Sequence, residues 1–169
     1  MTVENSKKAQ FTQAKKKSKG LFIIIALLVV VGTGSFWLLW GGQKSKLVSP
    51  VNGSVRVPVS AVSDGKAHFF RVAVATGEVE FFIVKSADGE IRSAFDTCDV
   101  CYKERKGYRQ EGATMVCNNC NQVFPVNRIN EVKGGCNPVP LERKITSDSV
   151  VIQLAALEQG RHYFTPLAR

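Results

Sequence analysis

His68 to Phe95 reads HFFRVAVATGEVEFFIVKSADGEIRSAF. Phe70, Val72 and Val74 alternate with Arg71 and Ala73, Val79, Phe81 and Ile83 repeat the pattern, and Ile91, Ser93 and Phe95 repeat it more weakly. Apolar residues at every second position line one face of a strand, so these runs read as β-structure. Thr76-Gly77 and Asp88-Gly89 separate them, and Asp64-Gly65 stands ahead of the first. Such dipeptides tolerate positive φ and suit tight hairpins, which predicts an antiparallel meander. Val55, Val57 and Val59, alternating with Arg56 and Pro58, are expected to begin it, with the proline marking an edge strand. Downstream, Ser149 to Leu154 (SVVIQL) adds one more strand, and Ala155 to Gln159 a short helical turn before Gly160.

Beyond Phe95 the pattern gives way to FDTCDVCYKERKGYRQEGATMVCNNCNQVFPVNRINEVKGGC, ending at Cys136. All five cysteines lie here, as Cys98-x-x-Cys101, Cys117-x-x-Cys120 and Cys136, with fifteen residues in each of the two gaps. Two C-x-x-C pairs at this separation let two knuckles face each other around a tetrahedral sulfur site. The spacing is specific for thiol chemistry and leaves open a metal, an iron–sulfur cluster or redox disulfides. Asp96 and Thr97 before Cys98, and Gly107 after the charged segment, predict a short helix carrying Cys98 and Cys101 on one face. Amides at its start would favour thiolates, while Asp96 and Asp99 oppose them unless a cation is bound. Met115 to Asn121 reads as an apolar strand entering a tight turn, with Asn118, Asn119 and Asn121 suited to left-handed backbone. Cys136 follows Gly134-Gly135 and is an extra ligand, a resolving thiol or an apolar filler.

Toward the N-terminus, Leu21 to Trp40 (LFIIIALLVVVGTGSFWLLW) is twenty residues without a charge. A helix of that length spans about 30 Å, the thickness of a hydrocarbon core, so a single transmembrane helix is expected over 21–40. Lys7, Lys8, Lys15, Lys16, Lys17 and Lys19 precede it against Glu4 alone. The positive-inside bias then keeps a basic tail, 1–20, in the cytoplasm and places the rest across the cell membrane. The length of the apolar run favours an uncleaved signal-anchor over a cleaved secretory signal. Residues 41–50 read as a polar tether, and 51–169 as the extracytoplasmic domain. The expected fold class is thus α+β: one N-terminal membrane helix, then a β-rich domain whose antiparallel meander carries a Cys-rich loop and short-helix metal-binding insert.

Composition narrows function mainly by exclusion. Of the net charge of +9, the first twenty residues supply +5, and the remainder has 17 basic against 13 acidic residues. No basic stripe interleaved with aromatics appears there, so a nucleic-acid partner is not expected. A domain of about 120 residues can bury a real core, so disulfide staples are not required for folding. His68 and His162, the two histidines, read as packing or surface residues. Tyr102 and Asn121, not histidines, follow the C-x-x-C motifs, which argues against haem, and Met115 reads as a strand residue before a copper ligand. No Ser/His/Asp set, phosphate-binding glycine loop or paired-carboxylate site stands out. No arginine precedes Arg56, so no twin-arginine signal is read and the domain is expected to cross the membrane unfolded.

At FFIVKSADGEIRSAFDTCDVCYKERKGYRQEG, MVCNNC and FPVNRINEVKGGCNPVPL, about Phe81 to Leu141, the sequence resembles the membrane iron–sulfur-containing, FtrD-like family. The resemblance implies association with bacterial iron transport, beside iron permeases and their periplasmic partners, and an iron–sulfur or redox role. Larger members carry several membrane helices ahead of this domain; one apolar run stands here, so a permease-like role is not carried over. Asn121 occupies the place where the family pattern leads one to expect glycine.

Cys98, Cys101, Cys117, Cys120 and Cys136 are therefore the expected ligands of an iron–sulfur cluster or mononuclear iron, with zinc possible, in a metal-handling or electron-transfer accessory of an iron permease. Two alternatives stand beside this: an extracytoplasmic dithiol–disulfide oxidoreductase, and a structural four-cysteine zinc ribbon.

Overall fold

A computed structural model of the protein describes residues 45–75 and 77–165. The basic tail and the apolar run at 21–40 lie outside the described residues; among those described, no helix is long and apolar enough to cross a membrane. In chain order the strands are β1 (Lys46–Val48), β2 (Ser54–Pro58), β3 (His68–Val74), β4 (Gly77–Lys85), β5 (Ile91–Phe95), β6 (Tyr108–Glu111), β7 (Thr114–Cys117), β8 (Val123–Pro125), β9 (Lys144–Ile145) and β10 (Ser149–Gln153). They are followed by α1 (Leu154–Gln159).

Among the described residues three sheets form, in the orders β1-β3-β4-β5, β2-β10-β9 and β6-β7-β8. The meander expected over 68–95 is the centre of the first. β3 pairs antiparallel with β4, Phe70 opposite Phe81, and β4 with β5, Phe81 opposite Phe95. β1, in the stretch read as a tether, adds to it in parallel beside β3.

The first sheet separates two apolar clusters. Phe70, Val72, Val79, Phe81, Ile83, Ile91 and Phe95 meet Val55, Val57, Val150 and Ile152 of the second sheet and Leu157 of α1. Phe69, Phe82, Val84 and Ala94 point the other way, toward Tyr108, Met115, Cys117 and Cys98. β4 therefore reads as the unbroken run Phe81–Val84 because both its faces are covered, and all four side chains are fully buried.

Two expectations are corrected. β2 does not begin the meander but pairs antiparallel with β10, Val57 opposite Val150. Its chain leaves through a 3₁₀ turn at Val59–Val62, whose buried Val62 anchors the crossover from one layer to the other. Pro58 does lie on an edge strand, since among the described residues β2 has β10 as its sole neighbour in that sheet. Nor does a helix carry the first C-x-x-C. Cys98 precedes a turn, Cys101 sits within it, and the only helical residues are the 3₁₀ turn Tyr102–Glu104. Arg105 then adopts a left-handed conformation, φ 52, which stops propagation.

Candidate metal centre

β5 positions two of the thiols. It runs directly into Asp96, Thr97 and Cys98, and its free edge holds both flanks of the Cys136 loop. On the upstream flank, Asn130 Oδ1 accepts from Ser93 N at 3.1 Å and Asn130 Nδ2 donates to Ser93 O at 2.7 Å. Arg92, whose side chain is 7% exposed, donates to the Ile129 carbonyl at 2.9 Å and pairs with Asp88 at 2.7 Å. On the downstream flank, Phe95 N donates to Val139 O at 2.8 Å and Leu141 N to Ser93 O at 3.1 Å. Cys136 is therefore the tip of a loop pinned at both ends to the strand that delivers Cys98.

The third sheet positions the other pair. Cys117 is the last residue of β7, opposite Tyr108 of β6. The chain turns back at once: Asn121 N donates to Cys117 O at 2.9 Å and Cys117 N to Gln122 O at 3.0 Å. Asn121 takes φ 58, the left-handed conformation that glycine adopts without strain and asparagine better than most. In the facing knuckle the Cys101 amide donates to Cys98 Sγ at 3.1 Å, a bond that stabilises a thiolate.

Tyr108 joins the pieces. Its amide donates to Asp96 Oδ1 at 2.7 Å and its hydroxyl to the Cys136 carbonyl at 2.6 Å. Gly107, φ 61, must lack a side chain because a Cβ there would run into the Asp96 carboxylate. Tyr108, Asn130 and Arg92 were not singled out from the sequence. The one cue was that Gly107-Tyr108 follows a charged segment directly.

The cysteine sulfurs gather in two trios. Those of Cys98, Cys101 and Cys136 lie within 4.8 Å of one another, as do those of Cys101, Cys117 and Cys120, so Cys101 belongs to both. Cys101 Sγ and Cys136 Sγ are 3.9 Å apart. The four thiols of the two C-x-x-C motifs do not form one group by themselves: Cys98 is grouped with Cys136 in place of Cys117 and Cys120. Neither histidine joins a trio; His68 bonds Asp64 at 2.7 Å, and the His162 ring packs on Tyr163.

Burial is graded across the site. Cys98 and Cys117 are buried, Cys101 and Cys136 intermediate, and Cys120 exposed. Burial, reinforced by the Cys120 and Cys101 thiols, pushes Cys136 up to about 12, and burial raises the Asp96 carboxyl to about 7. Without a cation these groups resist ionising together. Soft, closely spaced thiols are a donor set for thiophilic metals such as iron or zinc, so the residues fit the group that the sequence resemblance implies.

The family model described as "Membrane iron-sulfur containing protein FtrD-like" matches residues 62–164, more than half of the chain. No curated protein matches. Among solved structures, a quaternary ammonium Rieske monooxygenase, CntA, crystallised with an inhibitor, is similar at 15% identity and a TM-score of 0.39 over 68% of this chain. The match takes in 32% of that structure, so this chain spans about a third of its length. The protein belongs to the FtrD-like family of membrane iron–sulfur-containing proteins.

Proposed function

We propose that this FtrD-like protein is a membrane-anchored, extracytoplasmic metal-binding protein that holds iron, as an iron–sulfur cluster or as mononuclear iron, on Cys98, Cys101, Cys117, Cys120 and Cys136. It serves a bacterial iron-transport system as an electron-transfer or metal-handling accessory. The observation that carries this reading is the convergence of all five sulfurs in two overlapping trios. The apolar run at 21–40 with lysines on its N-terminal flank supports a single-pass anchor with the cysteines outside.

Bound iron would supply one-electron chemistry at thiolate sulfur. The chain's own residues do the rest. The Cys101 amide donates to the Cys98 sulfur and orients it, and buried Cys98 and Cys117 shield the inner side from water. Exposed Cys120 leaves one side open, where a partner or exchanging metal can approach. Tyr108 fixes the Cys136 loop against the two sheets.

Iron and acid-labile sulfide measured on anaerobically purified full-length protein, with an absorption spectrum, test the reading. Iron with sulfur-to-iron charge-transfer bands supports it, and a metal-free chain with five titratable thiols sinks it. That second outcome would favour dithiol–disulfide exchange, for which the 3.9 Å approach of Cys101 and Cys136 is the relevant observation.

A further inference from the structure

We propose that the five thiols form two metal centres sharing Cys101, whose sulfur bridges two thiophilic cations. This rests on the metal-binding reading above and adds the nuclearity of the site. A tetrahedral ion with metal–sulfur bonds of about 2.3 Å sets sulfur–sulfur edges of about 3.8 Å. Within each trio the sulfurs are no more than 4.8 Å apart, Cys101 and Cys136 stand 3.9 Å apart, and Cys101 is the one sulfur the trios have in common.

One tetrahedral ion needs four sulfurs, and five are present. The fifth is not a bystander. Cys136 Sγ is 3.9 Å from Cys101 Sγ, and its loop is fixed by the Tyr108 hydroxyl and by anchors on β5 at both ends. Backbone and side chains thus hold Cys136 where a ligand would stand.

Charge points the same way. Five thiolates around one divalent ion leave a net −3 beside Asp96 and Asp99, whereas two divalent ions leave −1. A thiolate sulfur keeps lone pairs after binding one metal, so Cys101 can serve both centres. Cys98 and Cys136 complete one centre and Cys117 and Cys120 the other. Each centre then has three thiolates and one open position, which a water or an inorganic sulfide can take.

Cobalt(II) titrated into the reduced full-length chain in detergent, under anaerobic conditions and without sulfide, is the probe. The bridged arrangement gives two ions per wild-type chain, both with thiolate-to-cobalt charge-transfer absorption. Cys120→Ser and Cys136→Ser each retain one such ion, while Cys101→Ser weakens both. One thiolate-bound ion in the wild type would overturn the inference and leave the metal-binding reading standing. So would a Cys101→Ser protein that loses no more than Cys120→Ser. Absence of any thiolate-bound cobalt would overturn both. The wild-type count needs no variant, so it decides the matter even if Cys101→Ser fails to fold.

Discussion

The Tyr108 hydroxyl donates to the carbonyl of Cys136 at 2.6 Å, joining the strand opposite Cys117 to the loop that carries the fifth thiol. Tyr108→Phe keeps the ring in the apolar cluster around Phe82 and Phe124 and removes the hydroxyl, with its bond to the Cys136 carbonyl and its contact with the Cys98 thiol. The expected loss of stability is about 0.5–1.5 kcal/mol, read from denaturant unfolding of the metal-free protein. Amide exchange should quicken at Gly135 and Cys136 and stay unchanged at Phe82. Equal quickening at both would mean the hydroxyl supports the whole core and not the loop.

Arg92 is the buried cation that ties β5 to the segment ahead of Cys136. Arg92→Leu leaves the Ile129 carbonyl without this donor, and the expected cost is about 1–3 kcal/mol. Metal should also dissociate faster, because the upstream flank then keeps only its Asn130–Ser93 anchor. Unchanged dissociation would show that Asn130 and the Val139–Leu141 flank are sufficient.

Asp88, hydrogen-bonded by Ser86 and paired with Arg92, is held down at about 2, below the ordinary carboxylate value. A lowered carboxylate pKa contributes stability that is present above the unfolded value and lost as pH falls through the folded one. Asp88→Asn should therefore flatten the stability profile between about pH 4 and pH 2, leaving the profile above pH 5 parallel to wild type. An unchanged acid limb in the variant would contradict the pairing.

Asn121 stands at φ 58 at the end of the second knuckle. Asn121→Gly should be tolerated or slightly stabilising. Asn121→Val, forced into the left-handed region, should cost about 1–2 kcal/mol and lower metal affinity. Chemical denaturation of the two variants side by side checks the knuckle geometry, and equal stability would refute it.

The same residue shows how far the sequence could be read. Of Asn118, Asn119 and Asn121, all read as suited to left-handed backbone, only Asn121 takes it; the preference is local, but the turn decides which residue uses it. The strands of the meander were legible for the same reason: alternation and turn dipeptides are short-range signals. The placement of β2 was not, since its partner Val150 lies far along the chain and only the buried Val62 crossover decides between layers. The first C-x-x-C looked like a helix start because Asp-Thr before cysteine is a capping pattern. What prevails there is tertiary: the Asp96 carboxylate against Gly107, the Cys101 amide on Cys98, and left-handed Arg105. All five cysteines were visible as candidates. That Cys136 joins Cys98 and Cys101 was not, because its position depends on hydrogen bonds to Ser93 and Tyr108 from distant strands.

Whether these sulfurs bind metal is read from X-ray absorption at the metal edge of the anaerobically purified full-length protein. A first shell of sulfur at about 2.3 Å, diminished in Cys101→Ser, is expected. A first shell of oxygen or nitrogen, unchanged in that variant, would show that the thiols are not the ligands.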